Sequence, residues 1–370
     1  MPEPVDYDVA ELVDTPTVMV DKQRLMSNIQ SFHDTVTGHG SKIRSHVKTH
    51  KCVEIAKMQI EMGACGIAAA KVSEAEVFVE AGIDDVVIAY PVFGAAKWTR
   101  ISRLAERCRL AVHVENETAV AGLSRCAQDA GVVIYARVEV DSGFHRTGGT
   151  PEESVELAER VAGASGLHFE GFTSHRSAFF EDGIGRPVSD LGREEGEFML
   201  EVAELARGRG IEVEQIVAGS TPTGRSLAEV DGITEVVAGT YPFCDAGMGD
   251  LGVAAYDDVA VSILTTVVVR RSNNGYTVDG GGKTFSWSAY PGADPRHHGR
   301  RVGSNDYLAS LTEEHGIVAS PDGEAPKLGD RIPFYPAHVC PAVNLTDSLV
   351  VIDQGNVSDR WSVAARGKVK

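Results

Sequence analysis

The feature that most constrains the fold of this chain is a regular alternation of short apolar segments with amphipathic ones over its first two thirds. The amphipathic segments, such as Ser73–Ala81 and Ala95–Arg107, have the periodicity of helices. The short segments are typical of buried strands, and we count eight: Ile43–Val47, Gly66–Ala70, Val86–Tyr90, Leu110–Val114, Val133–Val140, Phe169–His175, Ile216–Ser220 and Glu235–Gly239. Eight βα units predict a closed (β/α)₈ TIM barrel, with a doubly wound open sheet as the alternative.

A different pattern begins after about Asp245, where strand-like segments are divided by Gly, Asn and Asp turns. The predicted strands here are Val259–Arg271, Tyr276–Val278, Arg331–Tyr335 and Leu349–Asp353, whereas Ser288–Asn305 has the composition of a loop. Because 370 residues exceed what one core usually serves, we predict two domains. Residues 17–245 form the barrel, and residues 1–16 with 246–370 form a β domain. The extended segment Thr17–Val20 could itself pair with the β domain.

Composition and charge oppose several classes of protein. A net charge of -18 at pH 7 would repel nucleic acid and anionic membranes. The chain has no apolar run of about 18 residues, and its N-terminus lacks the basic and apolar regions of a signal peptide. The six cysteines form no compact disulfide framework. We therefore expect a cytoplasmic protein with reduced thiols that binds neither nucleic acid nor membranes.

Lys48 follows the first predicted strand, in the segment Ser-His-Val-Lys-Thr-His-Lys. The chemistry of a (β/α)₈ barrel collects at the C-terminal ends of its strands. A lysine there is suited to attack the aldehyde of pyridoxal phosphate as a Schiff-base nucleophile, once burial or neighbouring positive charge favours loss of its proton. The alternative is a surface lysine in a basic turn beside two histidines.

The ends of the seventh and eighth strands carry glycines with hydroxyl side chains. In a barrel these loops often bind phosphate, which makes Ser220, Thr221, Gly239, Thr240 and Tyr241 candidate cofactor ligands. The alternative for each loop is an ordinary Gly/Ser turn. Neither loop matches the P-loop or the dinucleotide-binding fingerprint, so a nucleotide is not indicated.

Arg146 and His175 are the other polar candidates at strand ends. The Arg146 guanidinium could donate a charge-assisted hydrogen bond to the phenolate oxygen of the cofactor, or the residue could serve a structural turn with Asp141. His175 ends the sixth strand and could stack on the cofactor ring or carry a proton. The alternative for His175 is a packed polar residue.

The β domain contains the pair His338-x-Cys340 in a strand-like setting. If this segment is a strand, both side chains point to one face and could hold one ion. Nitrogen and sulfur ligands favour zinc over manganese or magnesium, and two protein ligands would leave positions for water and substrate. A chance His-x-Cys pair is the alternative.

In their order along the chain, these motifs and the segment Glu313–Gly316 resemble the D-serine dehydratase and D-threonine aldolase family over nearly the whole chain, from about Leu12 to Gly367. The resemblance implies an alanine racemase-like, fold type III pyridoxal-phosphate enzyme that forms a homodimer. Its implied site has Lys48 bonded to the cofactor and a divalent metal on His338 and Cys340. Arg146 would meet the phenolic oxygen, and the phosphate would lie among Thr221, Gly239, Thr240 and Tyr241. Cysteine as the second metal ligand resembles the zinc-dependent dehydratases, since the aldolases tend to have aspartate there.

Two departures from the family pattern affect the pyridine nitrogen of the cofactor. The chain reads Arg176 to Phe180 where the family often has further His, Gly and Tyr residues, and Val237 stands where alanine racemases carry an arginine. The partner of that nitrogen therefore stays open. The racemase's tyrosine base has no counterpart either, which ranks racemisation lower.

The sequence thus predicts a lyase, dependent on pyridoxal phosphate and a metal, for D-configured β-hydroxy amino acids. Its favoured reaction is dehydration and deamination of D-serine or D-threo-3-hydroxyaspartate to a 2-oxo acid and ammonia. The alternative is retro-aldol cleavage to glycine and an aldehyde. A non-enzymatic pyridoxal-phosphate carrier would need neither the β domain nor His338-x-Cys340, and a metal-only hydrolase would bind no cofactor.

Overall fold

The computed structural model describes residues 13–178, 185–271, 275–290, 293–323 and 325–370. It divides into two compact units. Of these described residues, those within 31–48, 53–239 and 367–370 form the barrel unit, and those within 13–30, 49–52 and 240–366 form the β unit. This division differs from the predicted limit at residue 17, because the strand that begins there pairs inside the β unit.

The barrel unit is a closed barrel of eight parallel strands, which confirms the predicted (β/α)₈ fold. The described chain begins with β1 (Thr17–Asp21) and α1 (Lys22–Gly38). The barrel strands follow as β2 (Lys42–His46), β3 (Ile67–Ala69), β4 (Asp85–Ile88), β5 (Arg109–Val114), β6 (Ile134–Val140), β7 (Leu167–Ser174), β8 (Gln215–Ala218) and β9 (Glu235–Ala238). The helices that follow β2 to β8 in turn are α2 (Val53–Glu61), α3 (Val72–Glu80), α4 (Ala95–Ala105), α5 (Glu117–Ala130), α6 (Pro151–Ala162), α7 (Val188–Gly208) and α8 (Gly224–Ala228).

Local capping explains where two of these helices begin. The Asn116 side chain accepts a hydrogen bond from the Ala119 backbone N–H at the start of α5. At α6, Thr150 and Glu153 form a reciprocal capping box, and Pro151 occupies the first turn, where no donor is needed. The capping box thus fixes the backbone where the loop that carries Arg146 joins α6.

Six alternating charges form a closed ring inside the barrel, which we call the charge ring. Arg137 is fully buried and contacts Glu235 at 2.5 Å and Glu170 at 2.7 Å. The full cycle runs Arg44, Glu235, Arg137, Glu170, Arg109, Asp85 and back to Arg44. Three arginines and three carboxylates cancel, so the buried charges are mutually compensated.

Strand β5 shows how the charge ring is related to the functional end of the barrel. Alternate residues of a strand share a face, and in β5 these are Arg109, Ala111 and His113. Arg109 belongs to the charge ring, and Ala111 packs with Ala68 and Val87 in an apolar cluster. His113 comes last, toward the C-terminal end, where the candidate site residues lie.

The described residues of the β unit form a nine-stranded sheet with the order β11-β14-β13-β12-β15-β10-β1-β16-β17. Strand β1 pairs antiparallel with β10 and parallel with β16. The strands are β10 (Val261–Arg270), β11 (Tyr276–Val278), β12 (Gly299–Arg301), β13 (Tyr307–Leu311), β14 (Gly316–Ala319), β15 (Arg331–Pro336), β16 (Ser348–Asp353) and β17 (Asn356–Ser362). The helices are α9 (Ala246–Asp250), α10 (Gly282–Phe285) and α11 (Val339–Val343), with a 3₁₀ turn at Tyr256–Asp258.

The sequence prediction for the β unit missed four strands, β12, β13, β14 and β17. Strand β12 lies in the segment Ser288–Asn305 that was predicted as a loop, because a three-residue Gly-Arg-Arg strand has no apolar alternation. Strand β17 is exposed at six of its seven residues, which hides its pattern for the same reason. No disulfide links the six cysteines, all of which the structure describes. Within the described ranges, no helix is both long enough and apolar enough to cross a membrane.

Candidate active site

Lys48 lies in the turn after β2 with its side chain exposed. Its backbone N–H donates to His46 Nδ1 at 3.5 Å. Burial and the charge of Lys48 lower the pKa of His46 well below its usual range. His46 is therefore neutral and accepts the hydrogen bond that orients this turn, a role that the sequence reasoning missed.

His175 follows β7 and is close to two other predicted site residues. Its Nδ1 lies 3.2 Å from the carbonyl oxygen of Gly219, at the end of β8. Burial, then the positive charges of Lys48 and Arg146, lower the pKa of His175 to about 4. The imidazole is thus neutral near pH 7 and donates from Nδ1 to that carbonyl. The barrel brings Lys48, Arg146 and His175 together at one end.

The Arg146 guanidinium stacks on Phe144, with 4.7 Å between its central carbon and the ring centroid. Its side chain is half exposed, and Nη2 lies 3.9 Å from Glu139 Oε1. Asp141 stabilises the turn through its carboxylate, which accepts hydrogen bonds from three backbone N–H groups and from the imidazole of His145. The predicted turn contact between Asp141 and Arg146 is not the one that forms. The exposed guanidinium remains directed by Phe144 and Glu139.

Glu139 is a buried anion that the sequence reasoning missed. Burial alone would raise the pKa of Glu139. Hydrogen bonding and charge from His113, with a hydrogen bond from Thr147, instead lower that pKa to about 2. Burial and the nearby Glu139 charge raise the pKa of Glu115 to about 7. The signal for Glu139 was its place in β6, two residues after the buried Arg137, which gives it the same face of the strand.

The loop after β8 is a compact turn lined with hydroxyls. Gly219 has φ +105°, a left-handed conformation that favours glycine. The Ser220 and Thr223 hydroxyls are 2.9 Å apart, and Thr221 is buried. Gly239 follows β9 at the neighbouring strand end. The predicted phosphate residues of the barrel unit therefore occupy adjacent strand ends.

Thr240 and Tyr241 belong to the β unit, although they follow Gly239 directly. The Thr240 carbonyl accepts the backbone N–H groups of Phe243 and Cys244, and Tyr241 is buried. These contacts define a tight turn at the start of the unit. Thr240 itself is half-buried in this turn.

His338 and Cys340 are not in a strand, and the strand-like setting predicted for them is wrong. Strand β15 ends at Pro336, His338 occupies the N-cap position of α11 without a capping hydrogen bond from its side chain, and Cys340 lies in the first turn of that helix. Pro341, which lacks a backbone donor, is tolerated in a first helical turn and favours this arrangement. The alternation of side chains along a strand therefore does not apply to His338 and Cys340.

The surroundings of these two residues are ordered by polar contacts within the β unit. The His338 ring packs on Tyr290 with 5.4 Å between centroids, and the Tyr290 hydroxyl donates to Asp245. The Cys340 thiol donates to the Thr49 hydroxyl at 3.3 Å. Among the described residues, no group of three or more His, Cys, Asp or Glu side chains is arranged to hold a metal. An ion bound to this pair would keep positions open for other ligands.

Comparison with known proteins identifies the family. The model of the alanine racemase N-terminal domain matches residues 20–243, and that of a putative serine dehydratase domain matches residues 260–352. D-threonine aldolase of an Arthrobacter species is 32% identical over 362 residues, covering 96% of this chain and 93% of the aldolase. The chain belongs to the D-serine dehydratase and D-threonine aldolase family. The resemblance predicted from the sequence motifs is confirmed.

Solved structures of this family confirm the alanine racemase-like fold. D-threonine aldolase from Filomicrobium marinum superposes with a TM-score of 0.88 at 29% identity, covering 97% of this chain and 96% of that one. D-threo-3-hydroxyaspartate dehydratase from Delftia sp. HT23 has a TM-score of 0.88 at 27% identity, with 96% and 98% covered. Variants of that dehydratase include a His-to-Ala substitution and, two positions later, a Cys-to-Ala substitution described as metal-free. His338 and Cys340 have the same spacing.

Proposed function

We propose that this chain is a pyridoxal-phosphate-dependent lyase that dehydrates and deaminates D-β-hydroxy amino acids to a 2-oxo acid and ammonia. Substrates of the D-serine or D-threo-3-hydroxyaspartate type are proposed. The observation that carries the choice of dehydration is His338-x-Cys340, which shares its residue types and spacing with the pair substituted in the Delftia dehydratase.

The residues at the strand ends fit pyridoxal phosphate. An accessible lysine amine, a half-exposed guanidinium and a hydroxyl-lined loop with a left-handed glycine match the aldehyde, phenolate and phosphate of that cofactor. Lys48 would carry it, Arg146 would face its phenolic oxygen, and His175 would lie against its ring. The phosphate would be held by Ser220, Thr221, Gly239, Thr240 and Tyr241. When bound, the cofactor withdraws electrons from the α-carbon of an amino acid.

Lys48 has two proposed tasks, both at its Nζ atom. The amine binds the cofactor before the substrate arrives, and once displaced it takes the proton from the substrate α-carbon. Burial and the positive charges near His175 lower its pKa and keep its imidazole neutral, so that His175 does not compete for that proton. Arg146, held by Phe144 and Glu139, orients the phenolate end.

The donor set of His338 and Cys340 fits a divalent metal, and we propose zinc. An imidazole nitrogen with a thiolate sulfur suits zinc better than the harder manganese or magnesium ions, which remain the alternatives. Two protein donors leave room for substrate oxygen. A metal there would supply Lewis acidity toward the β-hydroxyl that leaves during dehydration.

Retro-aldol cleavage to glycine and an aldehyde is the second candidate. It is favoured by the 32% identity to an Arthrobacter D-threonine aldolase over nearly the full length. The two reactions differ in whether the proton is taken from the α-carbon or from the β-hydroxyl. We also propose a homodimer in the cytoplasm, which the family resemblance and the acidic sequence support; sedimentation would measure the mass of the assembly.

One experiment separates the two reactions. The purified protein is given D-serine, D-threonine and D-threo-3-hydroxyaspartate, and ammonia, 2-oxo acid, glycine and aldehyde are measured together. Ammonia and 2-oxo acid in equal amounts support dehydration, whereas glycine and aldehyde in equal amounts support the aldolase. Turnover of none of the three D-amino acids would contradict both.

A further inference from the structure

The two residues that flank His175 in the chain donate hydrogen bonds to the same atom, Oε1 of Glu195. The Ser174 hydroxyl lies 2.8 Å from it, and the Arg176 backbone N–H lies 2.7 Å from it. The Ser142 hydroxyl, from the loop that carries Arg146, lies 3.5 Å from the same oxygen. One buried side chain on α7 therefore contacts both loops that carry these proposed cofactor residues.

Helix α7 also packs directly on the segment that follows the phosphate loop. Gly192 lies one turn before Glu195, and a Cβ added there would come within 2.6 Å of the Thr223 carbonyl oxygen and closer still to Ser226. Only glycine allows this approach without a shift of one element. The helix thus joins the loops after β6, β7 and β8.

The second carboxyl oxygen of Glu195 is buried and has no hydrogen-bond partner among the described residues. Burial raises the pKa of Glu195 to about 7 despite the three donors on the other oxygen. A glutamine at this position keeps the oxygen that accepts the three hydrogen bonds and removes only the ionisable group. Glutamine should therefore replace it with little loss.

We propose that Glu195 is a positioning residue that holds His175 and the Arg146 loop in place for the cofactor. A buried N–H or O–H without a partner is costly, so the two donors beside His175 keep that backbone in one conformation only while Glu195 accepts them. The inference rests on the proposed function for the assignment of His175 and Arg146 to the cofactor.

The first measurement needs no cofactor. Amide hydrogen exchange at Arg176 is compared in the wild type, Glu195→Gln and Glu195→Leu, with Glu197→Leu, an exposed residue of the same helix, as the matched control. We expect exchange to accelerate on the order of tenfold in Glu195→Leu alone, because that variant has no acceptor. Equal protection in all four proteins would overturn the inference.

The second measurement is the affinity for pyridoxal phosphate, followed by visible absorbance. We expect the dissociation constant of Glu195→Leu to rise on the order of tenfold, with Glu195→Gln and Glu197→Leu close to wild type. A folded Glu195→Leu with unchanged affinity, or a Glu195→Gln as weak as Glu195→Leu, would contradict the proposal.

The proposal can also be tested if a variant fails to fold or if the wild type binds no cofactor. If Glu195→Leu does not fold, Ser174→Ala removes one donor without leaving a larger group, and unchanged cofactor affinity in that variant would count against the proposal. If the wild type binds no pyridoxal phosphate, the proposed function fails, and the exchange measurement still decides whether Glu195 holds the segment around His175.

Discussion

The thiol of Cys340 donates a hydrogen bond to the hydroxyl of Thr49, which directly follows Lys48 in the chain. The proposed metal ligand thus contacts the chain neighbour of the proposed catalytic lysine. A thiol that donates this bond is protonated, whereas metal binding requires the thiolate. Metal binding should therefore release the Thr49 hydroxyl from this contact and change the environment of the turn that carries Lys48.

Lys48→Ala is expected to abolish both covalent attachment of pyridoxal phosphate and turnover, because the proposed reaction has no other nucleophile. Borohydride reduction followed by peptide mass mapping would locate the cofactor. Lys71→Ala is the matched control and should keep cofactor attachment and turnover. The Lys71 ammonium lies 3.1 Å from the centroid of the Tyr90 ring, and this contact accounts for its position. Recovery of the cofactor on Lys51 or Lys71 would refute the assignment.

Removal of metal by a chelator is expected to stop turnover while the visible absorbance of the bound cofactor persists, because the ion serves the leaving hydroxyl. Zinc should restore the activity, and Cys340→Asp should shift the preference toward manganese. Cys126→Ser, a thiol on α5, is the control and should respond to metal like the wild type. Full activity in excess chelator, with no metal found by elemental analysis, would exclude the metal-dependent reaction.

Thr240→Val is expected to weaken cofactor binding by about 1.5–3 kcal/mol, the value of a hydrogen bond to a charged group. Thr240→Ser keeps the hydroxyl and should bind nearly as well as the wild type. Equilibrium dialysis of pyridoxal phosphate measures the effect, and urea unfolding checks that stability is unchanged. Equal affinity in Thr240→Val and the wild type would remove Thr240 from the phosphate site.

Arg137→Met is expected to lower the free energy of unfolding by about 3–5 kcal/mol, because it leaves the buried Glu170 and Glu235 with one arginine partner each and the charge ring with an excess negative charge. Arg193, whose guanidinium pairs with Glu229 at 2.8 Å on the surface, provides the control, and Arg193→Met should cost at most about 1 kcal/mol. Urea unfolding at neutral pH compares the two. Similar losses would mean that the charge ring contributes no more than an exposed pair.

The free energy of unfolding is expected to fall as the pH is lowered below about 4.5. Burial raises the pKa of both Glu235 and Glu170, but the neighbouring arginines outweigh it. Arg137 and Arg44 lower the pKa of Glu235, and Arg137 and Arg109 lower that of Glu170. Carboxyl groups with a lowered pKa in the folded state stabilise it above their unfolded pKa, and this stabilisation is lost as pH falls toward the folded value. A stability that stays flat through this range would contradict the pKa shifts of Glu235 and Glu170.

Much of the fold was predictable because barrel strands are short apolar segments at regular intervals. The strand ends carrying Lys48, Arg146, His175 and Ser220 followed directly from that pattern. The helical setting of Cys340 did not, since a His-x-Cys segment between prolines has no periodicity to read. The predictions for residues 1–12, Phe179 and Phe180 lie outside the described residues.

The contacts that sequence reasoning missed are long-range and polar. Glu195 reaches donors 19, 21 and 53 residues away, and no local pattern in α7 marks it. The charge ring was missed because barrel interiors are usually apolar, so arginines and carboxylates within strands look like surface residues. The partners of each charge become apparent only when the barrel closes and brings the strands together.

The closed cycle of six charges also restricts how this barrel can diverge. Loss of one charge at a buried position, such as Arg137 or Glu235, leaves an unbalanced charge inside the barrel and destabilises the fold, whereas joint loss of an arginine and a carboxylate keeps the balance. Positions 44, 85, 109, 137, 170 and 235 should therefore covary among relatives, with an arginine and a carboxylate lost or exchanged together. This covariation should occur in relatives with different substrates, because the charge ring packs the barrel interior and does not bind substrate.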